Sequence, residues 1–183
     1  MNVKSLKIPE VLLITPDIHN DERGYFFEFF NENKFNECTG LSEKFVQDNI
    51  SFSKRGVLRG LHFQENPMEQ GKLVGVISGE VFDVAVDLRE CSPTFLRWHA
   101  EVLSESNHKT FVIPEGFAHG FQTLTENCEL LYLHTAAYEP KAEAGLNALD
   151  DQLSVEWPLS ITERSLRDQQ HAMLAPDFSG LSV

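Results

Sequence analysis

The chain has 183 residues, 42% of them hydrophobic and 23% charged, the composition expected of one ordinary globular domain over residues 1–183 with core enough to need no staples. Its 15 Lys and Arg against 28 Asp and Glu leave a net charge of −13, which repels a phosphate backbone and excludes nucleic acid as the expected partner. The acid is uneven: residues 1–72 hold nine basic and eleven acidic side chains, so −11 falls on the remainder and the N-terminal part is comparatively cationic.

At the start of the chain, residues 1–10 carry Lys4, Lys7 and Glu10 with no apolar signal core. No later apolar run approaches the roughly 18–20 residues of a membrane span, so a cytoplasmic protein without membrane contact is expected. Short apolar runs closed by turn residues then recur at 11–14, 25–30, 44–49, 57–64, 73–77, 81–88, 94–103, 110–113, 120–124 and 129–134. Ten such runs at roughly ten-residue spacing predict an all-β sandwich or barrel. Run 81–88 is the clearest, with Phe82, Val84, Val86 and Leu88 on one face and Asp83 and Asp87 on the other, the pattern of a half-buried strand. Helices are expected only at 31–40, with Asn31 as cap and Gly40 as stop, and at 162–173, with a Thr162 cap and Pro176 beyond. The 14 Phe residues suit the gap between two facing sheets. Cys38, Cys91 and Cys128 are odd in number and far apart, which argues against a disulfide framework or zinc knuckle.

Three clusters carry chemistry. In Arg59-Gly60-Leu61-His62-Phe63-Gln64, period two puts His62 and Gln64 on one face, as hydrogen-bonded core groups or as groups lining a cavity. In Pro114-Glu115-Gly116-Phe117-Ala118-His119, Pro and Gly two apart make a tight turn and His119 opens the next strand. In 130–138, Tyr132 shares a side with Leu130 and His134, and Tyr138 follows in a turn; Tyr132 reads as a core tyrosine or a site residue.

The Pro-x-Gly-x-x-His pattern behind a Gly79-led strand resembles the second motif of the cupin superfamily, which implies a double-stranded β-helix, a jelly-roll barrel with its site at the mouth and a few peripheral helices. Gln64 stands where metal-binding cupins place a second His, leaving His62 and His119 as the good ligands, so no metal and no cofactor are expected. With Gly71-Lys72-Leu73-Val74, 79–87 and Glu156-Trp157-Pro158 also in order, and with 21–26 and 45–49, the chain resembles the dTDP-4-dehydrorhamnose 3,5-epimerase family from about Ile8 to Asp168. The resemblance implies a cofactor-independent isomerase of dTDP-rhamnose biosynthesis that inverts C3 and C5 of a dTDP-linked 4-keto-6-deoxy sugar. It makes His62 the base, Asp168 its carboxylate partner, Tyr132 the proton donor and Lys72 the stabiliser of charge on the C4 oxygen. It assigns substrate contacts to Arg23, Glu28, Gln47, Asn49, Arg59, His119, Tyr138, Glu143 and Arg167, with Tyr138 stacking on thymine. It also implies a homodimer with exchange of an N-terminal strand, which run 25–30, apolar on both faces, suits. Gly75 stands where relatives carry Arg, Ala148-Leu149-Asp150 where Trp-Asn-Asp is common, and Arg167 where Lys is frequent. A single-carbon epimerase and a non-catalytic or metal-dependent cupin are the competing functional readings.

Overall fold

In chain order the elements are β1 (Asn2–Ser5), β2 (Leu12–Thr15), β3 (His19–Asp21), β4 (Gly24–Phe26), α1 (Glu32–Thr39), β5 (Gln47–Lys54), β6 (Leu58–Gln64), β7 (Lys72–Ser78), β8 (Glu80–Asp87), β9 (Trp98–Ser104), β10 (Thr110–Ile113), β11 (Phe117–Thr123), β12 (Asn127–His134), β13 (Glu143–Gly145) and α2 (Leu166–Gln170). The computed structural model from which they are taken describes residues 1–182; Val183, the last residue of the expected domain, lies outside the described residues. The strands form a six-stranded sheet in the order β1-β2-β10-β7-β12-β5, a five-stranded sheet in the order β13-β6-β11-β8-β9, and a separate β3-β4 hairpin. All the named strand pairs are antiparallel, and the architecture is the expected cupin-type jelly roll. Among the described residues, no helix is long and apolar enough to cross a membrane.

Three apolar layers hold the sheets. Val74, Val81, Phe111, Phe117, Phe121 and Leu130 come from both sheets and fill the space between them. A second layer covers the outer face of the five-stranded sheet, where Val84, Val86 and Leu88 meet the C-terminal segment through Leu153 and Leu174, with Trp157 packed against them. The third lies outside the six-stranded sheet, where Leu12, Leu73 and Val112 receive Phe35 of α1, with Phe29, Phe30 and Phe45 beside it. The phenylalanines are therefore divided: some fill the inter-sheet gap, while Phe30, Phe35 and Phe45 make a separate ring cluster with centroids 5.0–5.7 Å apart.

Several expectations need correction. Asp83 and Asp87 do share a face opposite Val84 and Val86, but both are 0% exposed, because the polar face of β8 is the barrel interior and its apolar face is roofed by the C-terminal segment. Asp87 is satisfied there by Arg89, Ser92 and Thr94, which fold the following loop onto it. Run 25–30 is strand only in its first two residues; beyond Phe26 the chain turns so that Phe29 and Phe30 reach the outer cluster. The second helix is the short α2, capped by Ser165, because Thr162 and Glu163 are already engaged as a strand-like bridge to Gly56 and Leu58. Gly75 points outward: a Cβ there would lie 2.5 Å from the Phe29 ring, so the missing cation concerns packing of the N-terminal segment and not the cavity. α1 runs as expected from its Asn31 cap to Gly40, whose φ of 74° suits glycine.

Candidate active site

At the barrel mouth the two sheets part around a cavity of about 290 Å³. The five-stranded sheet contributes Arg59, His62 and Gln64 from β6 and His119 from β11; the six-stranded sheet contributes Asn49 and Ser51 from β5, Lys72 from β7, and Tyr132 and His134 from β12. The β6 alternation that sends Leu61 and Phe63 into the outer layer is what sends His62 and Gln64 inward. His119 stands opposite His62 in the β11–β6 register. An adjoining cavity of about 380 Å³ shares Arg59, His62 and Arg167 and adds Lys54 and Arg164, which makes this side cationic in an acidic protein.

His62 and Asp168, 106 residues apart, are joined by a 2.8 Å contact between Nε2 and Oδ1. The second oxygen, Oδ2, accepts the Gly60 N–H at 3.1 Å. Burial opposes ionisation of this carboxyl, but the His62 contact and the Gly60 N–H overcome it and hold Asp168 well below the usual carboxylate range. An ionised carboxylate only accepts, so it fixes the proton on Nε2 of neutral His62 and leaves Nδ1 with a free lone pair.

Across the cavity, the Tyr132 hydroxyl lies 2.5 Å from Ser51 Oγ. Burial raises its pKa, so Tyr132 stays protonated through the neutral range. Lys72 is buried, and its Nζ donates to the His62 carbonyl at 3.3 Å; desolvation lowers its pKa to about 8, opposed by the charges of Asp83 and Glu143. His119 binds Asp83 through Nε2 at 2.9 Å, and burial lowers its pKa. His134 is held at about 4 by burial, then by Lys72 and His119, so it is a neutral wall of the cavity at working pH.

The rim is a polar chain. Arg167 and the Tyr138 hydroxyl both donate to Glu143 Oε2 at 2.5 Å, Gln47 accepts the Tyr138 N–H at 2.8 Å and donates to Asn49 at 3.1 Å, and Arg59 donates to Ser53 Oγ and the Phe52 carbonyl. Tyr138 is half exposed and presents a ring at the mouth. Arg23 and Glu28 stand apart from this assembly: Arg23 pairs with Asp21 in the exposed β3-β4 hairpin, and Glu28 pairs with Lys34 and Asn31 beside α1. Neither lines the cavity of its own chain.

The donor set does not suit a cupin metal. His62 and His119 turn Nε2 toward different carboxylates and so do not converge on one ion, and the Gln64 amide is used up as a brace, donating to the Met68 and Ala137 carbonyls and accepting the Glu139 N–H. Sequence reasoning missed Ser51 and misplaced Asp83. Ser51 was within reach, since 47, 49 and 51 share one face of β5; Asp83 was not, because alternation separates faces without saying which one meets water.

The family model of dTDP-4-dehydrorhamnose 3,5-epimerase matches residues 5–176. The dTDP-4-dehydrorhamnose 3,5-epimerase of Salmonella typhimurium is 49% identical over 175 residues, covering 95% of this chain and 96% of that protein. The enzyme of the same name from Methanothermobacter thermautotrophicus is 52% identical over 153 residues, covering 83% of this chain and 81% of that protein. Among solved structures, the dTDP-6-deoxy-D-glucose-3,5-epimerase from Legionella pneumophila Philadelphia 1, in complex with dTDP-4-keto-L-rhamnose, superimposes with a TM-score of 0.91 at 45% identity, covering 94% of this chain and 92% of that one.

Proposed function

The chain belongs to the dTDP-4-dehydrorhamnose 3,5-epimerase family, and on that premise we propose that it inverts C3 and C5 of dTDP-4-dehydro-6-deoxy-D-glucose to give dTDP-4-dehydro-L-rhamnose. The carrying observation is that a carboxylate-bound imidazole, His62, and a protonated phenol, Tyr132, come from opposite sheets and face one cavity. The ketone at C4 acidifies the hydrogens on C3 and C5. His62 removes one through Nδ1, and Asp168 supports the imidazolium that forms. The electron pair moves to the C4 oxygen, where the Lys72 ammonium meets it in a site dry enough for that charge to count for several kcal/mol. Tyr132 then delivers its proton to the carbon from the other wall, and configuration inverts.

The nucleotide half occupies the cationic side. Arg59 and Arg167 offer planar forks to the diphosphate, Tyr138 a face to thymine, and Gln47, Asn49, His119 and Glu143 polar contacts around them. The working unit is a homodimer. β5 is the edge of its sheet and carries Ile50 and Phe52 exposed, while Tyr25 and Phe26 of the hairpin are 59% and 66% exposed. A partner hairpin laid along β5 covers these groups and brings Arg23 and Glu28 to the other chain's site, consistent with their distance from their own.

Incubation with dTDP-4-keto-6-deoxyglucose in D2O tests the reading. Deuterium at both C3 and C5 of an L-configured product is expected; exchange at one carbon makes the protein a single-carbon epimerase, and exchange at neither removes this substrate.

A further inference from the structure

His171 closes α2 and has no part in the chemistry above. Its main chain is clamped, the N–H donating to the Arg167 carbonyl at 3.1 Å and the carbonyl accepting from Asn147 Nδ2 at 3.2 Å. Its ring lies against Gly145, where a Cβ would approach Nε2 to 2.5 Å, so the absence of a side chain there is what seats the imidazole. The seated ring is 5.8 Å from that of His62, at 69° to it. Among the described residues its Nε2 is buried without a hydrogen-bond partner, an arrangement that native structures rarely leave unused. That atom lies 4.0 Å from Asp168 Oδ1, the oxygen that holds His62 Nε2 at 2.8 Å. All three donor atoms fall within 4.8 Å of one another.

We propose that His62, Asp168 and His171 form a three-ligand site for a divalent transition ion of the zinc type, and that occupation of this site switches the enzyme off. Two imidazoles and one carboxylate are a zinc-like donor set, unlike the all-oxygen shells of Mg²⁺ and Ca²⁺. Donors on one tetrahedral zinc, with bonds of ~2.0–2.1 Å, stand ~3.3 Å apart, so the His62–Asp168 contact opens by ~0.5 Å and His171 closes by ~0.7 Å on Asp168. The adjoining cavity, lined by His62 and Asp168, leaves the fourth position open to water. Arg164, which donates to the Asp168 carbonyl, and nearby Arg167 oppose a cation and keep the affinity modest and the binding reversible.

The inhibition follows from the proton. In the metal-free pair Nε2 of His62 carries the hydrogen and Nδ1 the lone pair. An ion on Nε2 replaces the hydrogen there; that proton leaves to water, Nδ1 takes one up in its place, and with Nε2 on the metal and Nδ1 protonated neither nitrogen can accept a proton from the sugar. Asp168 remains ionised as a ligand. This inhibitory half rests on His62 being the base; the binding half does not.

The test uses cobalt(II) as spectroscopic probe and zinc chloride as inhibitor on EDTA-treated full-length protein. One cobalt per chain with visible ligand-field absorption is expected, and it should disappear in His171→Ala and in His171→Phe, the second of which keeps a ring over Gly145. Zinc should inhibit epimerisation reversibly with EDTA. Metal-free His171→Phe should keep activity within about twofold and need at least tenfold more zinc for half inhibition. Absence of a cobalt band in the wild type, an unchanged band in both variants, or equal zinc sensitivity of wild type and His171→Phe overturns the proposal. A His171-dependent cobalt band in a protein without epimerase activity upholds the metal site while removing the epimerase reading.

Discussion

Lys72 is 7% exposed on the cavity wall, and desolvation brings its pKa from 10.5 to about 8. A lysine with a folded pKa below its unfolded value binds fewer protons in the native state between those two pH values, so stability rises with pH across that window and the buried ammonium is a cost at pH 7. In the proposed mechanism that cost is offset by stabilisation of the charge on the C4 oxygen. Lys72→Met is expected to lower kcat/KM by about 10²- to 10³-fold, the usual scale for losing an oxyanion stabiliser, while raising the melting temperature at pH 7 and flattening stability between pH 8 and 10.5. The wild-type kcat/KM should fall above about pH 8 as the ammonium loses its proton, and profiles extended past pH 9 check this. The slope has the same sign at Asp168, but there the contribution is stabilising: its carboxyl is held below the unfolded value, so the stabilisation is present above the ordinary carboxylate range and is lost as pH falls through and below it.

Among the elements, β6 carries the site's precision. Gly60 has a φ of 112°, and a Cβ on it would meet the Gly120 Cα at 2.6 Å and the His119 carbonyl at 2.7 Å, so β6 and β11 approach backbone to backbone just where they hold His62 and His119. Gly60→Ala should cost about 2–3 kcal/mol of stability in denaturant melts, on the scale of strained backbone and overpacking, and should reduce kcat more than the loss of folded protein explains. Much of β6 was legible in advance, because period two put His62 and Gln64 on one face whatever the fold. Asp168 was legible only through resemblance: nothing in a sequence separation of 106 residues says that α2 swings its carboxylate under β6. Helix α2 itself was overdrawn because Thr162 is a good cap in isolation, and only the tertiary bridge to Gly56 removes it. The half-buried pattern of β8 hides the burial of Asp83 and Asp87 because alternation cannot tell a wet surface from a polar interior, and His171 carries no motif at all; its place depends on Gly145, a residue on another element.

At the scale of the whole molecule, the charge of −13 that argued against nucleic acid coexists with a cationic pocket of Lys54, Arg59, Lys72, Arg164 and Arg167 at the barrel mouth. The acidity is not confined to the exterior, since Asp83, Asp87 and Asp168 are buried beside partners. Light scattering should give the mass of two chains, and Phe26→Ser with Phe52→Ser should shift it toward one while raising KM, because Arg23 and Glu28 then lose the partner's site. A single-chain mass for the unmodified protein would refute strand exchange. The central claim is the division of labour between two walls of one cavity, base on the five-stranded sheet and acid on the six-stranded one. The most direct measurement is Tyr132→Phe incubated with dTDP-4-keto-6-deoxyglucose in D2O, with deuterium and configuration read at C3 and C5. Deuterium should enter by way of His62 with configuration retained and inversion reduced by at least a hundredfold; equal loss of exchange and inversion would contradict the assignment.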